Sequence, residues 1–110
     1  MEKQKLILRN EKEMRVIIIA DILAIQIIDY FCTFHIEGES PFSCTKSLKE
    51  IIPLLPQNFM QVSRSSIVNL DKIKSIELKN KTISLGAGTK IGFSSRNEKK
   101  LKEHFDAFTG

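Results

Sequence analysis

Between residues 5 and 93 the apolar side chains come in short, β-branched runs bounded by polar or glycine-containing turns, and only two stretches of the chain carry helical spacing. That pattern constrains the fold more than any other feature, because runs of four to eight residues between turn signals suit paired strands and are too short for a helical bundle. Residues 5–8 and 15–19 flank the polar segment Asn10-Glu11-Lys12-Glu13 like the arms of a hairpin. Residues 21–28 and 30–36 follow, joined at Asp29, and Glu37-Gly38-Glu39 turns the chain into residues 42–45. The first half is therefore expected to be a meander of about five strands.

The period changes after Thr45. Leu48, Ile51, Ile52 and Leu55 share one face of a helix that Ser47 and Glu50 would open as a capping box, and Pro53 and Pro56 limit it to about two turns. Residues 59–63 are extended, and 65–70 form a short turn or strand. Residues 74–79 alternate, with Ile76 and Leu78 on one side, and pair with residues 82–85 across an Asn80-Lys81 turn. Gly86, Gly88 and Gly92 punctuate a strand around residues 90–93. The second helical stretch, residues 96–108, has Ser95 and Glu98 as a capping box and Leu101, Phe105 and Phe108 on one face.

At 110 residues, with 42% apolar and 27% charged side chains, the chain is expected to be one domain over residues 1–110 with a core that needs no disulfide or metal. The longest apolar run, residues 16–28, is interrupted by Asp21 and Gln26 and is too short to span a bilayer. It also lacks the features of a signal peptide. Cys32 and Cys44 have no metal-ligand spacing and read as reduced core or cross-strand thiols of a cytoplasmic protein. If Gly38 centres its hairpin, the two cysteines lie opposite each other.

Catalytic equipment is not visible. His35 and His104 are far apart and set among core-type residues, Gly86-Ala87-Gly88 precedes a strand where a phosphate loop would precede a helix, and no nucleophile elbow or carboxylate cluster occurs. No enzyme activity, cofactor or metal is expected. Charge offers more. Residues 1–59 carry seven basic and eight acidic side chains, whereas residues 60–110 carry ten basic and five acidic, so the net charge of +4 comes entirely from the second half. A polyanion such as nucleic acid suits that asymmetry.

Two segments have the chemistry to meet one. In Gln61-Val62-Ser63-Arg64-Ser65-Ser66, a guanidinium is surrounded by small hydroxyl residues. An arginine there can fork onto guanine O6 and N7 while serine hydroxyls and backbone amides hold phosphates. The competing reading is a surface turn with a solvated arginine. In Ser94-Ser95-Arg96-Asn97-Glu98-Lys99-Lys100, a helix start adds its free N–H groups to basic side chains, against the plainer reading of a capped surface helix.

Taken together, the run from Phe59 through Val62-Ser63-Arg64-Ser65-Ser66-Ile67-Val68-Asn69 to Ile76, and Ser95-Arg96 opening a lysine-rich helix with Leu101, resemble the LytTR DNA-binding domain. Asp21-Ile22-Leu23-Ala24-Ile25-Gln26 with Asp29-Tyr30, and Ser47-Leu48-Lys49-Glu50-Ile51, extend the likeness to about residues 10–107. The resemblance implies a mostly β, elongated antiparallel fold of several short sheets with one short central helix and a C-terminal helix, meeting DNA through loops. By position, it implies contacts at Asp29 and Tyr30, at Ser63, Arg64 and Ser65 with Arg64 reading bases, and at Arg96 and Asn97; Lys99 and Lys100, one turn into the helix, are placed to reach phosphate. Ser63 stands where the family often has histidine, and Tyr30 where a smaller or more polar contact is common.

The expected function is that of a bacterial transcriptional regulator, the output domain of a two-component response regulator, binding double-stranded DNA at repeated half-sites as a pair of protomers. A small β module for single-stranded nucleic acid and an interaction domain for an acidic protein are the alternatives. Family members usually carry an upstream receiver or membrane-sensor domain, for which 110 residues leave no room. The expectation is therefore a stand-alone regulator or a fragment beginning at an added Met1.

Overall fold

A computed structural model describes residues 4–107. Among these residues ten strands form three antiparallel sheets: β1 (Lys5–Arg9) with β2 (Met14–Ile18); a five-stranded sheet in the order β5-β4-β3-β7-β6; and a three-stranded sheet in the order β10-β9-β8. In the central sheet, β3 (Ile22–Ile28), β4 (Phe31–Ile36) and β5 (Phe42–Cys44) make the expected meander, while β6 (Phe59–Ser63) and β7 (Ser66–Asn69) return from the second half to lie against β3. The third sheet is β8 (Ile73–Glu77), β9 (Thr82–Leu85) and β10 (Lys90–Gly92). The molecule measures 44 × 36 × 25 Å.

Strand alternation sends side chains of the central sheet to two separate cores. On one face Ile25, Cys32, Phe34, Phe42 and Ile67 pack against Leu6, Leu8 and Ile17 of the β1–β2 ribbon and Leu48 and Ile51 of α1 (Leu48–Ile51). On the other face Ala24, Val62 and Val68 meet Ile83, Leu85 and Ile91 of the three-stranded sheet and Leu101 of α2 (Ser95–Asp106). A bulge between Ile22 and Ala24 in the β3–β4 pairing lets consecutive Leu23 and Ala24 both serve the second core. Asn69, buried where the two halves join, donates its side-chain amide to the Ile22 carbonyl at 2.9 Å.

Several local expectations change. The chain makes a 3-10 turn at Ile19–Asp21, so β2 ends at Ile18 and β3 begins at Ile22. Ser47 and Glu50 form the capping box, but α1 tightens to 3-10 geometry at Ile52–Leu54, which rotates Ile52 to the surface. Strand β8 stops at Glu77, and a four-residue turn, with Lys81 at φ 50°, replaces the two-residue turn and leaves Leu78 exposed. Helix α2 begins one residue early, with Ser94 at its N-cap and no capping box from Ser95 and Glu98. Glu98 instead pairs with Lys102 and Lys81, at 3.1 and 3.2 Å, and these cations hold its carboxyl below the usual range. Phe108 lies outside the described residues.

Candidate nucleic-acid interface

Two of the three expected contact regions sit on turns whose positions the central sheet dictates. Strand β3 pairs with β4 on one side and β7 on the other, with Ile28 opposite Phe31 and Gln26 opposite Ser66. The Ile27 amide donates to the Ser65 carbonyl at 2.8 Å. The tips of the β3–β4 and β6–β7 hairpins therefore project from the same end of the sheet. At the first tip Asp29 adopts a left-handed backbone, φ 56°, which a short polar residue tolerates, and Tyr30 is 92% exposed. At the second, Arg64 and Ser65 form the turn, both exposed. Ser63 is half-buried, and its hydroxyl accepts the Ser65 amide at 3.3 Å while Gln61 Nε2 donates to the Ser63 carbonyl at 3.0 Å. Ser63 thus braces the turn that presents Arg64.

A bulge connects this turn to the third contact point. Gln61 pairs with Ile67 and Ser63 with Ser66, leaving Val62 without a partner in the ladder. The freed Val62 carbonyl accepts the Ser94 amide at 2.9 Å and Asn97 Nδ2 at 3.1 Å, and Asn97 Nδ2 also donates to Ser94 Oγ at 2.7 Å. The start of α2 is consequently fastened two residues from Arg64. Arg96 is exposed in its first turn. Asn97 is half-buried, with its amide nitrogen committed to this junction.

Charge pairing separates the cations. Arg64, Arg96 and Lys100 make no ion pair or side-chain hydrogen bond among the described residues, whereas Lys99 approaches Glu103 at 3.8 Å on the exposed helix surface. Such exposed pairs exchange readily for other anions. Lys46, Ser47, Leu48 and Glu50 line the same groove as Tyr30 and Arg64. None of these four stood out as a contact in the sequence. A signal was nevertheless present, because the ladder that sets Cys32 opposite Cys44 ends two residues short of both Tyr30 and Lys46.

Cys32 and Cys44 are buried free thiols, and burial pushes the Cys32 thiol up to about 12. The ring Nε2 of His35 donates to Gln26 Oε1 at 2.8 Å, and burial lowers its pKa. His104 meets Phe105 edge to face. Among the described residues no cluster of three His, Cys, Asp or Glu side chains is arranged to hold a metal, and no helix is long and apolar enough to cross a membrane.

The sequence model of the LytTr DNA-binding domain matches residues 12–106. No curated protein sequence matches the chain significantly. Among solved structures, the chain is similar to the LytTr DNA-binding domain assigned to a methyl-accepting/DNA response regulator of Bacillus cereus, with a TM-score of 0.78 and 22% identity over 93% of this chain and 96% of that one.

Proposed function

The chain belongs to the LytTR DNA-binding domain family, and from that premise we propose that it is the output domain of a bacterial response regulator, reading specific double-stranded DNA sequences through its turns. The family is one of DNA binders and not of catalysts. In this reading residues 1–110 act as one cytoplasmic domain, and two protomers occupy repeated half-sites.

The observation that carries the proposal is the pair of exposed arginines, Arg64 and Arg96, on turns joined through one bulged residue, neither spent on an internal ion pair. A planar fork on a short turn suits guanine edges in a major groove, and two of them on one frame suit adjacent faces of a duplex. Ser65 and Tyr30 border the first arginine, Ser63 and Asn97 hold the turns in place, and Lys99 and Lys100 neutralise phosphate.

One observation favours a second reading. Tyr30 is 92% exposed and Phe31 beside it is 50% exposed, which offers stacking faces to single-stranded bases. Titration of a duplex and of its separated strands, each over a range of salt, decides between the two. The proposal expects duplex preference and a slope of log affinity against log salt of about 0.9 per phosphate neutralised. Equal or tighter binding of the single strands, or an affinity indifferent to salt, overturns it.

A further inference from the structure

The ladder between β4 and β5 keeps one register, with Phe34 opposite Phe42, Thr33 opposite Ser43 and Cys32 opposite Cys44. The ladder ends there, and Tyr30 and Lys46 each lie two residues beyond that last pair, outside the strands. Lys46 accordingly lines one groove with Tyr30, Arg64 and Glu50. Its ammonium lies 3.7 Å from Glu50 Oε2, beyond hydrogen-bond range, with 45% and 58% of the two side chains exposed. The other carboxylate oxygen of Glu50 accepts the Ser47 amide at 3.4 Å and hydroxyl at 3.2 Å. The capping box therefore fixes Glu50, while the ion pair holds Lys46 only loosely.

We propose that Lys46 binds a DNA backbone phosphate in the groove it shares with Arg64, exchanging Glu50 for that phosphate when the duplex docks. The inference rests on the proposed function and adds to it a contact and a competing counter-charge. A lysine is a compact charge on a flexible stem and suits a phosphate, whereas the neighbouring arginine fork suits a base edge. Asp29 and Glu50 balance Lys46 and Arg64 in the groove, so its formal charge is zero. Phosphate binding there depends on moving Lys46 away from Glu50.

The test uses the full chain with a duplex carrying a single half-site, and with an unrelated duplex, over a range of salt. K46Q should reduce the magnitude of the salt slope by about 0.9 and weaken every duplex by a common factor, without altering base preference. E50Q keeps the capping box, since glutamine also serves at that position, and should tighten every duplex by up to about fivefold, an effect absent in the K46Q background. K49Q removes an exposed lysine of the same helix that does not line the groove and should leave the slope in place. An unchanged slope in K46Q, or one that moves no more than in K49Q, overturns the Lys46 assignment while the proposed function stands. Unchanged affinity in E50Q overturns the exchange. A wild-type chain that binds no duplex at any salt removes the proposed function and the inference together.

Discussion

Asn97 Nδ2 donates to the carbonyl of Val62 at 3.1 Å, linking the first turn of α2 to the bulge that precedes Arg64. Two turns distant in sequence are thereby held in one geometry by a side chain that does not itself need to touch a ligand.

Asn97→Ala should lower stability by about 1 kcal/mol, the usual worth of such a bond, with the Ser94 amide still satisfying the Val62 carbonyl. DNA affinity should fall further than folding explains, because Arg96 loses its fixed position. A double-mutant cycle separates the two effects: Arg96→Ala should cost less in the Asn97→Ala background than in the wild type. Thermal melting and duplex titration supply the measurements, and a full, additive penalty for Arg96→Ala would show that Asn97 does not position it.

Selectivity and affinity should separate by residue. Arg64→Ala should cost about 1 to 3 kcal/mol on the preferred duplex and relax the preference at one or two base positions. Lys99→Gln and Lys100→Gln should weaken all duplexes alike and flatten the salt slope. Lys99, held in part by Glu103, should lose less than Lys100. Affinities for the site, for its single-base variants and for unrelated duplex provide the comparison. A folded Arg64→Ala protein that loses the same factor on every duplex would make Arg64 a phosphate contact.

Acid should weaken the fold through His35. Burial lowers its folded pKa below the ordinary 6.5, so below that value the unfolded chain takes up a proton that the folded chain resists. Stability should be level above about pH 7.5 and fall as pH drops through 6.5 toward the folded pKa. His35→Gln retains a polar partner for Gln26 without ionising and should flatten this part of the curve. Melting temperatures across pH 5 to 8 for both proteins test it; parallel curves would place the pH sensitivity elsewhere.

The strands of the meander and the Cys32–Cys44 register were legible because alternation and a single glycine turn determine them locally. The Ser47–Glu50 box was legible for the same reason. The division into several sheets came through the family resemblance and not from local pattern, since β7 beside β3 is a pairing of residues some 42 apart, as Ile25 with Ile67, and no local pattern encodes it. The helix start at Ser95 was misplaced because Glu98 satisfies two lysines, one of them distant Lys81, and so does not reach back to a cap. Arg64 and Arg96 stood out as types in context, whereas Lys46 looked like any lysine before a helix. Only the folded groove brings it beside the Tyr30 turn.

Buried thiols make the last prediction. Cys32 and Cys44 face each other across adjacent strands within the first core, 0% and 3% exposed, and burial raises both thiol pKa values, that of Cys32 to about 12. At pH 8 far less of Cys32 is then the reactive thiolate than of a free cysteine. Iodoacetamide at pH 8 should therefore modify the native protein slowly, at a rate set by opening of the core, and both residues should react promptly in denaturant. Native protein exposed briefly to the reagent, or to a chelator, should bind DNA as before, since no thiol lies at the Arg64 or Arg96 turns. Mass spectrometry of alkylated peptides gives the rates. Modification of native Cys32 at the rate of an exposed cysteine would show that this end of the central sheet opens far more readily than its packing implies, and loss of DNA binding on chelation, restored by a defined metal, would demand a metal in the interface.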